Sequence, residues 1–313
     1  MLDRRTGRRI GRAATAVSAV VFRTAAVLLS APAFGALEAQ SLRMIPIPGL
    51  PLEITCRALQ PGEVLLVRPL EDPAVRRIDV RLRTQKRRIE FDGEKAAVLL
   101  GIDMAAKPQA YFMEITIERR DGSRENRFWK LAVDPREFPE TELTVPPGMD
   151  VAPPAAAERI KREAALVAGI LGRVSPAWMG TGPFQSPLSG FEPFPNFGQR
   201  RNYNNRIAST HSGIDISAPA GTPARASNAG RVVLAAELYY SGNTVIIDHG
   251  LGVFTYYGHF SKLRVKRGDL VAKGDIIAEV GSTGRSTGPH LHWSVRILDS
   301  RVDPLSLAAL PLQ

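Results

Sequence analysis

All five histidines of this chain lie between positions 211 and 292, in the last third of its 313 residues. They occur in four groups: His211 followed by Asp215, His249 alone, the triplet Tyr257-Gly-His259, and His290-Leu-His292. Imidazole is the commonest protein ligand for zinc and the only side chain whose ordinary pKa lies near neutral pH. The clustering therefore predicts one chemical centre built largely from histidine.

The spacing of His290 and His292 suits a β-strand. Residues two apart on a strand point to the same face, with Cα atoms about 6.6 Å apart. Both imidazoles can then line one cleft while Leu291 and Trp293 face a core. Taken alone, the pair is equally consistent with two hydrogen-bonded core histidines.

The pair His211 and Asp215 needs a bend in the chain. Four residues of straight strand cover about 13 Å, which is too far for both side chains to bind one ion through bonds of about 2.0–2.2 Å. The intervening Ser212-Gly213 is poor helix material, so Gly213 is the predicted hinge. Taken alone, this pair is equally consistent with a surface pair. If it joins the other histidines, two imidazoles and one carboxylate leave tetrahedral zinc one open position, which is the catalytic pattern.

Several further motifs accompany these histidines in a fixed order. They are Phe197-Gly-Gln-Arg200, His211-Ser-Gly-Ile-Asp-Ile-Ser-Ala-Pro-Ala-Gly-Thr-Pro223, Gly242-Asn-Thr-Val-Ile-Ile-Asp-His-Gly250, Tyr257-Gly-His-Phe260 and Gly281-Ser-Thr-Gly-Arg-Ser-Thr-Gly-Pro-His-Leu-His-Trp293. In these motifs, residues from about 182 to 306 resemble the lysostaphin/LytM-type zinc endopeptidases, which cut peptide bonds in peptidoglycan. The resemblance implies one Zn²⁺ ion bound by His211, Asp215 and His292. It also implies that His259 and His290 act on the substrate without binding metal.

The resemblance gives these residues a chemistry. A single carboxylate ligand leaves Zn²⁺ positively charged, so that it polarises the scissile carbonyl and lowers the pKa of its water towards about 7. One of His259 and His290 can serve as general base and the other can stabilise the oxyanion, in an order that the sequence leaves open. His249 is predicted to be structural or to line the groove. Gly281, Gly284 and Gly288 either allow close approach of substrate or form a flexible turn.

The elements that must position these residues are mainly strands. Residues 40–147 alternate apolar and polar residues at strand length and predict an immunoglobulin-like β-domain, in which the basic stretch 81–88 is an edge strand. Residues 148–181 read as a linker with a helix at 155–172, whose apolar face contains Ile160, Ala164, Val167 and Leu171. Residues 182–313 form the predicted endopeptidase domain. The resemblance implies that this domain is an antiparallel β-sheet groove of duplicated, lipoyl-like hairpins, and the repeat Val265-Lys-Arg-Gly-Asp-Leu-Val271 and Val271-Ala-Lys-Gly-Asp-Ile-Ile277 fits it.

Residues 1–39 read as a signal peptide or an N-terminal anchor, with a basic start, apolar runs and small residues at cleavage positions. Six arginines against Asp3 in residues 1–36 supply about half of the formal charge of +10. The rest is spread thinly, so nucleic acid is not an expected partner, and a membrane is expected only through an uncleaved leader. The single cysteine, Cys56, predicts a buried thiol. The chain is expected to be exported to the periplasm, the cell envelope or the medium.

Two other functions compete with a zinc endopeptidase of peptidoglycan cross-links. A non-catalytic relative would bind the wall or activate another hydrolase, but such relatives lack metal or catalytic residues that this chain keeps. A phosphocarrier on a similar fold would also use two histidines, but export would separate it from a cytoplasmic phosphate donor. Among relatives, an upstream asparagine sometimes blocks the metal. Asn202, Asn204 and Asn205 invite that interpretation, although an asparagine-rich turn explains them as well.

Overall fold

Strands make up most of the chain that the structure, a computed structural model, describes. It covers residues 41–91, 97–143, 152–203 and 207–312. The predicted leader, the Pro146-Pro147 pair, and Asn204 and Asn205 lie outside these residues. The prediction of a mainly β protein is confirmed.

The N-terminal region consists of two antiparallel four-stranded sheets around one core. Their strands are β1 (Arg43–Pro46), β2 (Leu52–Cys56), β3 (Val64–Pro69), β4 (Val75–Leu82), β5 (Gln85–Glu90), β6 (Val98–Gly101), β7 (Ala110–Arg119) and β8 (Arg124–Ala132). The sheet orders are β1-β2-β3-β6 and β5-β4-β7-β8. Residues of both sheets, such as Ile54 and Ile115, share the core, which also contains the buried Cys56. The basic stretch 81–88 is not a single edge strand: it covers the end of the inner strand β4, a turn and the first part of β5, and only β5 lies at the sheet edge.

A middle segment connects the two β regions. It contains β9 (Glu140–Leu143), a 3₁₀ turn (Pro154–Ala156), α1 (Ala157–Leu171), β10 (Arg200–Tyr203) and β11 (Ile207–Thr210). Helix α1 begins after two prolines and ends at Leu171, directly before Gly172, close to the predicted bounds. Its packed face differs from the prediction: Ile170 is buried and Ala164 is exposed. The reason is Glu163, which occupies that face because its carboxylate accepts a 2.7 Å hydrogen bond from the backbone N–H of Tyr239.

The C-terminal region contains a seven-stranded sheet and a smaller three-stranded one. Their strands are β12 (Gly213–Ser217), β13 (Pro223–Arg225), β14 (Gly230–Leu238), β15 (Gly242–Asp248), β16 (Val253–Phe260), β17 (Lys262–Leu263), β18 (Leu270–Val271), β19 (Ile276–Glu279), β20 (His290–Ile297) and β21 (Ser300–Val302), followed by α2 (Pro304–Ala308). The large sheet has the order β12-β20-β16-β15-β14-β18, with β21 also paired to β20.

The sequence repeat at 265–277 forms two matching turns. Asp269 accepts a hydrogen bond from the backbone N–H of Lys266 at 2.9 Å, and Asp275 accepts one from Ala272 at 2.7 Å. Gly268 and Gly274 have φ angles of 99° and 89°, a region that glycine adopts without steric strain.

The N-terminal and C-terminal β regions meet in a buried junction. Val64, Leu66 and Leu99 pack in one cluster with Val295 and Val302. Beside it lies the junction cluster, which we define as Arg57, Glu63, Arg136 and Asp303. Residues 41–313 form one compact unit, so the division at 147 and 181 stays a prediction.

Of the helices in the described part of the chain, none combines the length and apolar character needed to cross a bilayer.

Candidate metal centre

The chain bends between β11 and β12 and so brings His211 and Asp215 together. His211 lies between the two strands, Asp215 lies within β12, and Nε2 of the histidine is 3.0 Å from Oδ1 of the aspartate. Gly213 is required for space: a Cβ there would lie 2.5 Å from the carbonyl oxygen of Trp293 and 2.8 Å from Cε1 of His292. The predicted bend is confirmed, and the glycine acts by letting β12 pack closely over β20.

Strand β20 places His290 and His292 on one face, as the sequence predicts. Leu291 and Trp293 point the other way and are fully buried. In the ladder between β12 and β20, Asp215 is directly opposite His292. Side chains of directly opposed residues lie on the same face of a sheet, so the carboxylate and the imidazole meet.

Three ligand atoms thereby converge. Nδ1 of His292 lies 2.9 Å from Nε2 of His211 and 3.2 Å from Oδ1 of Asp215, and these three residues are a group that could hold a metal ion. A tetrahedral ion with bonds of about 2.0–2.1 Å separates its ligand atoms by about 3.3 Å. The triangle is therefore close to the size that zinc requires, and we call His211, Asp215 and His292 the candidate metal centre.

Asn196 and Arg201 hold the outer side of this centre. The side-chain amide of Asn196 donates to Oδ2 of Asp215 at 2.9 Å, and Arg201 donates to the same oxygen at 2.8 Å. The backbone carbonyl of Asn196 lies 3.0 Å from Nδ1 of His211. A carbonyl oxygen only accepts, so Nδ1 carries the proton and Nε2 presents a lone pair to the centre.

Burial and hydrogen bonding act in opposite directions on the charge of the centre. Burial alone would raise the pKa of Asp215, but hydrogen bonds and charge from the His211 and His292 rings, which act when a ring carries a proton towards the carboxylate, outweigh it and hold that pKa far below its ordinary value. Burial lowers the pKa of His211, which favours the neutral imidazole. Both shifts favour the protonation states in which these side chains bind a metal ion.

A β-bulge turns His259 towards the centre. The register of β15 and β16 shifts at this point, so that Asn243 pairs with Phe260 and Val245 pairs with Tyr257. His259 itself has a φ of 67°, which is uncommon for a residue other than glycine and marks a strained, closely held backbone. Its ring centroid lies 4.6 Å from that of His290.

Backbone carbonyl groups orient both His259 and His290. Nδ1 of His259 lies 2.8 Å from the oxygen of Thr283, and Nδ1 of His290 lies 2.8 Å from that of Gly288. The same argument as for His211 places the proton on Nδ1 of each ring and leaves Nε2 as an acceptor. Nε2 of His290 is 3.8 Å from Oδ1 of Asp215. Burial lowers the pKa of His259 to about 4, so its imidazole is neutral at neutral pH.

The loop before β20 owes its glycines to packing. A Cβ on Gly281 would lie 2.3 Å from the backbone nitrogen of Ser261, and one on Gly284 would lie 2.3 Å from that of Gly242. Gly288 has open space around it. Gly281 and Gly284 are therefore required because the loop packs directly against neighbouring backbone, which leaves no room for a Cβ atom. Neither close approach of a substrate nor flexibility is needed to explain them.

His249 lies apart from the centre. It is fully buried, with Nδ1 2.7 Å from the carbonyl oxygen of Ala229 and Nε2 2.7 Å from the hydroxyl of Thr255. Both ring nitrogens therefore have partners within the protein. The structural interpretation of His249 agrees with these contacts.

An open cleft of about 940 Å³ contains the four clustered histidines. Its floor includes the exposed face of β20, and Val167 and Leu171 of α1 contribute to its lining. Tyr256, on the neighbouring strand, lies edge-on to the ring of His292 at 6.2 Å, and its hydroxyl is 2.5 Å from that of Ser241. An extended peptide could lie along this floor beside the centre.

Sequence reasoning missed Asn196 and Arg201. Asn196 lies in an irregular stretch and Arg201 on the short strand β10, where the sequence shows no periodicity, although the two directly flank the motif Phe197-Gly-Gln-Arg200. The asparagine that reaches the centre binds the carboxylate ligand, whereas Asn202 donates to Glu142 at 2.8 Å.

Part of this region is similar to a known family. Residues 209–304 match the model of Peptidase family M23. The chain is 48% identical to the DD-carboxypeptidase/endopeptidase Mpg of Neisseria meningitidis over 98 aligned residues. These residues are 31% of this chain and 23% of that protein. Over 119 residues it is 40% identical to the peptidoglycan DD-endopeptidase ShyA of Vibrio cholerae, covering 37% and 27% respectively. The chain thus spans about a quarter of the length of these curated relatives.

A solved structure extends the similarity to the fold. A Pseudomonas aeruginosa structure assigned to peptidase M23 superposes with a TM-score of 0.59 at 28% identity, covering 80% of this chain and 95% of that one. Because residues 209–304 are under a third of the chain, this alignment must include part of the N-terminal region as well.

Proposed function

Because residues 209–304 form a domain of Peptidase family M23, we propose that this protein is a zinc-dependent endopeptidase that hydrolyses DD-peptide bonds of peptidoglycan cross-links. The single observation that carries the proposal is the triangle of lone-pair atoms on His211, Asp215 and His292, 2.9–3.2 Å apart. Two further imidazoles lie beside it. The choice of DD-peptide bonds rests on the names of the relatives, which include peptidoglycan DD-endopeptidases.

The metal ligands are His211 through Nε2, His292 through Nδ1 and Asp215 through Oδ1. When bound, Zn²⁺ supplies a Lewis acid that polarises the scissile carbonyl and makes a water molecule acidic enough to attack at neutral pH. Asn196 and Arg201 occupy Oδ2 of Asp215, so that Oδ1 is the oxygen presented to the ion. The side chains thus fix both the identity and the direction of each ligand atom.

His259 and His290 handle the proton. Each ring is oriented by a carbonyl on Nδ1 and offers Nε2 as an acceptor, so either can take the proton of the attacking water and return it to the leaving amine. The centroids of the two rings are 4.6 Å apart. The other ring, once it is protonated itself, is therefore close enough to stabilise negative charge that develops on the substrate. Which ring has which role stays open.

The site of action follows from the substrate. A protein that cuts peptidoglycan must reach the cell envelope, so we propose that the chain is exported and that residues 1–39 serve as its signal peptide or anchor. The remaining positive charge of the chain would favour contact with a polyanionic wall.

The test is digestion of purified peptidoglycan, with the released peptides identified by mass spectrometry. We expect new amine ends from cross-link peptides with the zinc-loaded protein. Adding a chelator, or making the substitution His292→Ala, should reduce cleavage by at least a thousandfold. Metal content after dialysis, measured by atomic emission, should fall to background in the same variant.

His249→Gln is the matched control, because it removes a histidine of the same domain that lies outside the centre. At pH 7.5 it should retain both bound zinc and cleavage. A folded, zinc-loaded protein that releases no peptide would contradict the proposal and favour the wall-binding or activator function.

A further inference from the structure

The exposed face of β20 continues beyond the histidines to a pair of arginines. Residues 290, 292, 294 and 296 alternate with buried ones, so Arg296 lies on the same face as His292. Arg301 of β21 is directly opposite Arg296 in the ladder. Both arginines line the cleft that contains the candidate metal centre.

The two guanidinium groups are held in different ways. Arg301 binds Asp103 of the N-terminal region through two nitrogens, at 2.7 and 3.1 Å. Arg296 donates to the backbone carbonyl of Asp299 at 3.2 Å, and no carboxylate of the described residues lies within ion-pair distance of its guanidinium. Asp103 and Asp299 supply the nearby negative charge, so what distinguishes Arg296 is that its guanidinium forms no direct ion pair with a described residue.

Arg296 is also partly desolvated. Burial lowers the pKa of Arg296, and so does the neighbouring charge of Arg301, whereas the charges of Asp103 and Asp299 act in the opposite direction. A partly desolvated cation without a direct ion pair is costly to maintain, and a bound anion would relieve the cost. The guanidinium group matches the planar geometry of a carboxylate.

We propose that Arg296 and Arg301 form a subsite that binds a carboxylate of the peptide substrate. The inference rests on the proposed function, and it names how that substrate is recognised. Along a strand, Arg296 is about 13 Å from His292, and an extended peptide rises about 3.3 Å per residue. The recognised carboxylate therefore belongs to a residue two to four positions from the scissile bond, once the reach of the arginine side chains is included.

The N-terminal region fixes the position of this subsite. Besides Asp103, the side chain of Gln85 donates to the hydroxyl of Ser300 at 3.1 Å, and that hydroxyl donates to the carbonyl of Gly101 at 3.1 Å. The hairpin between β20 and β21 is thus held from outside the peptidase domain. The N-terminal sheets contribute to substrate binding by orienting Arg301.

The experiment compares two synthetic cross-linked peptide dimers, one with free carboxylates and one with the same carboxylates amidated. With the zinc-loaded wild type, we expect a KM about tenfold lower for the carboxylate dimer and similar kcat values for both. Arg296→Gln should reduce this preference to less than twofold. Arg296→Lys, which keeps the charge but not the planar fork, should retain part of it.

Arg231→Gln is the control for net charge, because Arg231 is exposed on β14 and outside the cleft. It should keep the full tenfold preference. Retention of that preference in Arg296→Gln, or absence of any preference in the wild type, overturns the subsite. Circular dichroism confirms that each variant is folded.

Equilibrium binding of both dimers to the chelator-treated wild type separates the two proposals. If the carboxylate dimer binds more tightly but neither dimer is ever cut with zinc, the subsite stands and the endopeptidase function fails. If both dimers are cut with equal KM, the function stands and the subsite fails.

Discussion

The junction cluster and the candidate metal centre are both buried and polar, but their charges are arranged in opposite ways. In the junction cluster, Arg57 binds both oxygens of Glu63 at 2.7 and 3.1 Å and reaches Asp303 at 2.9 Å. Arg136 adds 3.0 Å to Asp303 and 3.4 Å to Glu63. Two cations meet two anions, so the cluster is neutral and each carboxylate has donors within the protein.

In the candidate metal centre, donors lie on the outside and acceptors face inwards. Asn196 and Arg201 bind the outer oxygen of Asp215, and a backbone carbonyl fixes the outer nitrogen of His211. The inner atoms of His211 and Asp215, together with Nδ1 of His292, are left facing one another. Either a shared proton or a metal cation between them satisfies acceptors this close.

The comparison separates two uses of buried polar groups. A cluster that satisfies its own charges can only join elements together, whereas a cluster that converges on a point without a donor is built for a ligand. Arg296 and Arg301 at the end of the cleft belong to the second kind as well, with donors in place of acceptors directed towards a ligand. The three predictions below test this distinction.

The largest effect is expected at the junction. Glu63 is 3% exposed in its side chain, and Glu63→Gln would leave Arg57 buried with one carboxylate fewer. Breaking a buried ion pair in this way costs about 3–5 kcal/mol of unfolding free energy. Urea unfolding measures the loss, and zinc affinity should change by less than twofold.

The exposed pair Arg264–Glu279 provides the control. Its arginine side chain is 46% exposed, so Glu279→Gln should cost less than about 1 kcal/mol. Equal losses for Glu63→Gln and Glu279→Gln would show that burial gives the junction cluster no special weight in stability.

Much of the centre follows from sequence because its residues obey local rules. The strand alternation around His290 and His292 fixes their common face, and the distance argument for His211 and Asp215 requires the bend that is observed. The junction cluster follows no such rule, because Arg57 and Asp303 are 246 positions apart and no periodicity connects them. Long-range charge pairing depends on how whole sheets pack.

The errors have the same origin. Helix α1 was placed within two residues, but its packed face differs because Glu163 finds a backbone donor on a distant strand. The bend expected at Gly213 is present, but the reason for glycine there is the close approach of Trp293 and Ser294 on β20, not the bend itself. In each case the tertiary neighbour, which local sequence does not specify, decides what the residue does.

A second prediction compares His249 with the centre, since both contain buried imidazole. Burial lowers the pKa of His249 to about 4, below the value of about 6.5 expected in the unfolded chain. Its stabilising contribution is therefore complete above pH 7 and is lost as the pH falls from about 6.5 to about 4, by about 3 kcal/mol in total.

Urea unfolding between pH 4 and 8, with a chelator present throughout, measures this loss. In His249→Gln the decline over that window should be shallower than in the wild type by about 3 kcal/mol, whatever the stability of the variant at pH 7.5. Identical pH profiles in the two proteins would mean that the pKa of His249 is the same in the folded and the unfolded chain. Burial of an imidazole whose two ring nitrogens are hydrogen-bonded would then not disfavour its protonation.

The smallest effect is expected at Asn196, and it tests the outer side of the centre. Asn196→Ala removes the amide bond to Oδ2 of Asp215 but keeps the backbone carbonyl that holds His211. Arg201 still binds Oδ2, so the carboxylate keeps one of its two donors. Loss of such an outer partner typically weakens metal affinity by about 10–100-fold, or about 1.4–2.7 kcal/mol.

Competition with a fluorescent zinc chelator measures that affinity without relying on activity. Arg201→Ala should weaken it to a similar extent, and the double variant should lose more than the sum of the two, because neither donor would then hold the Asp215 carboxylate in the orientation that presents Oδ1 to the ion. Unchanged affinity in the double variant would mean that the inward acceptors alone define the centre. The distinction from the junction cluster would then lie in the convergence of lone pairs and not in the donors that surround them.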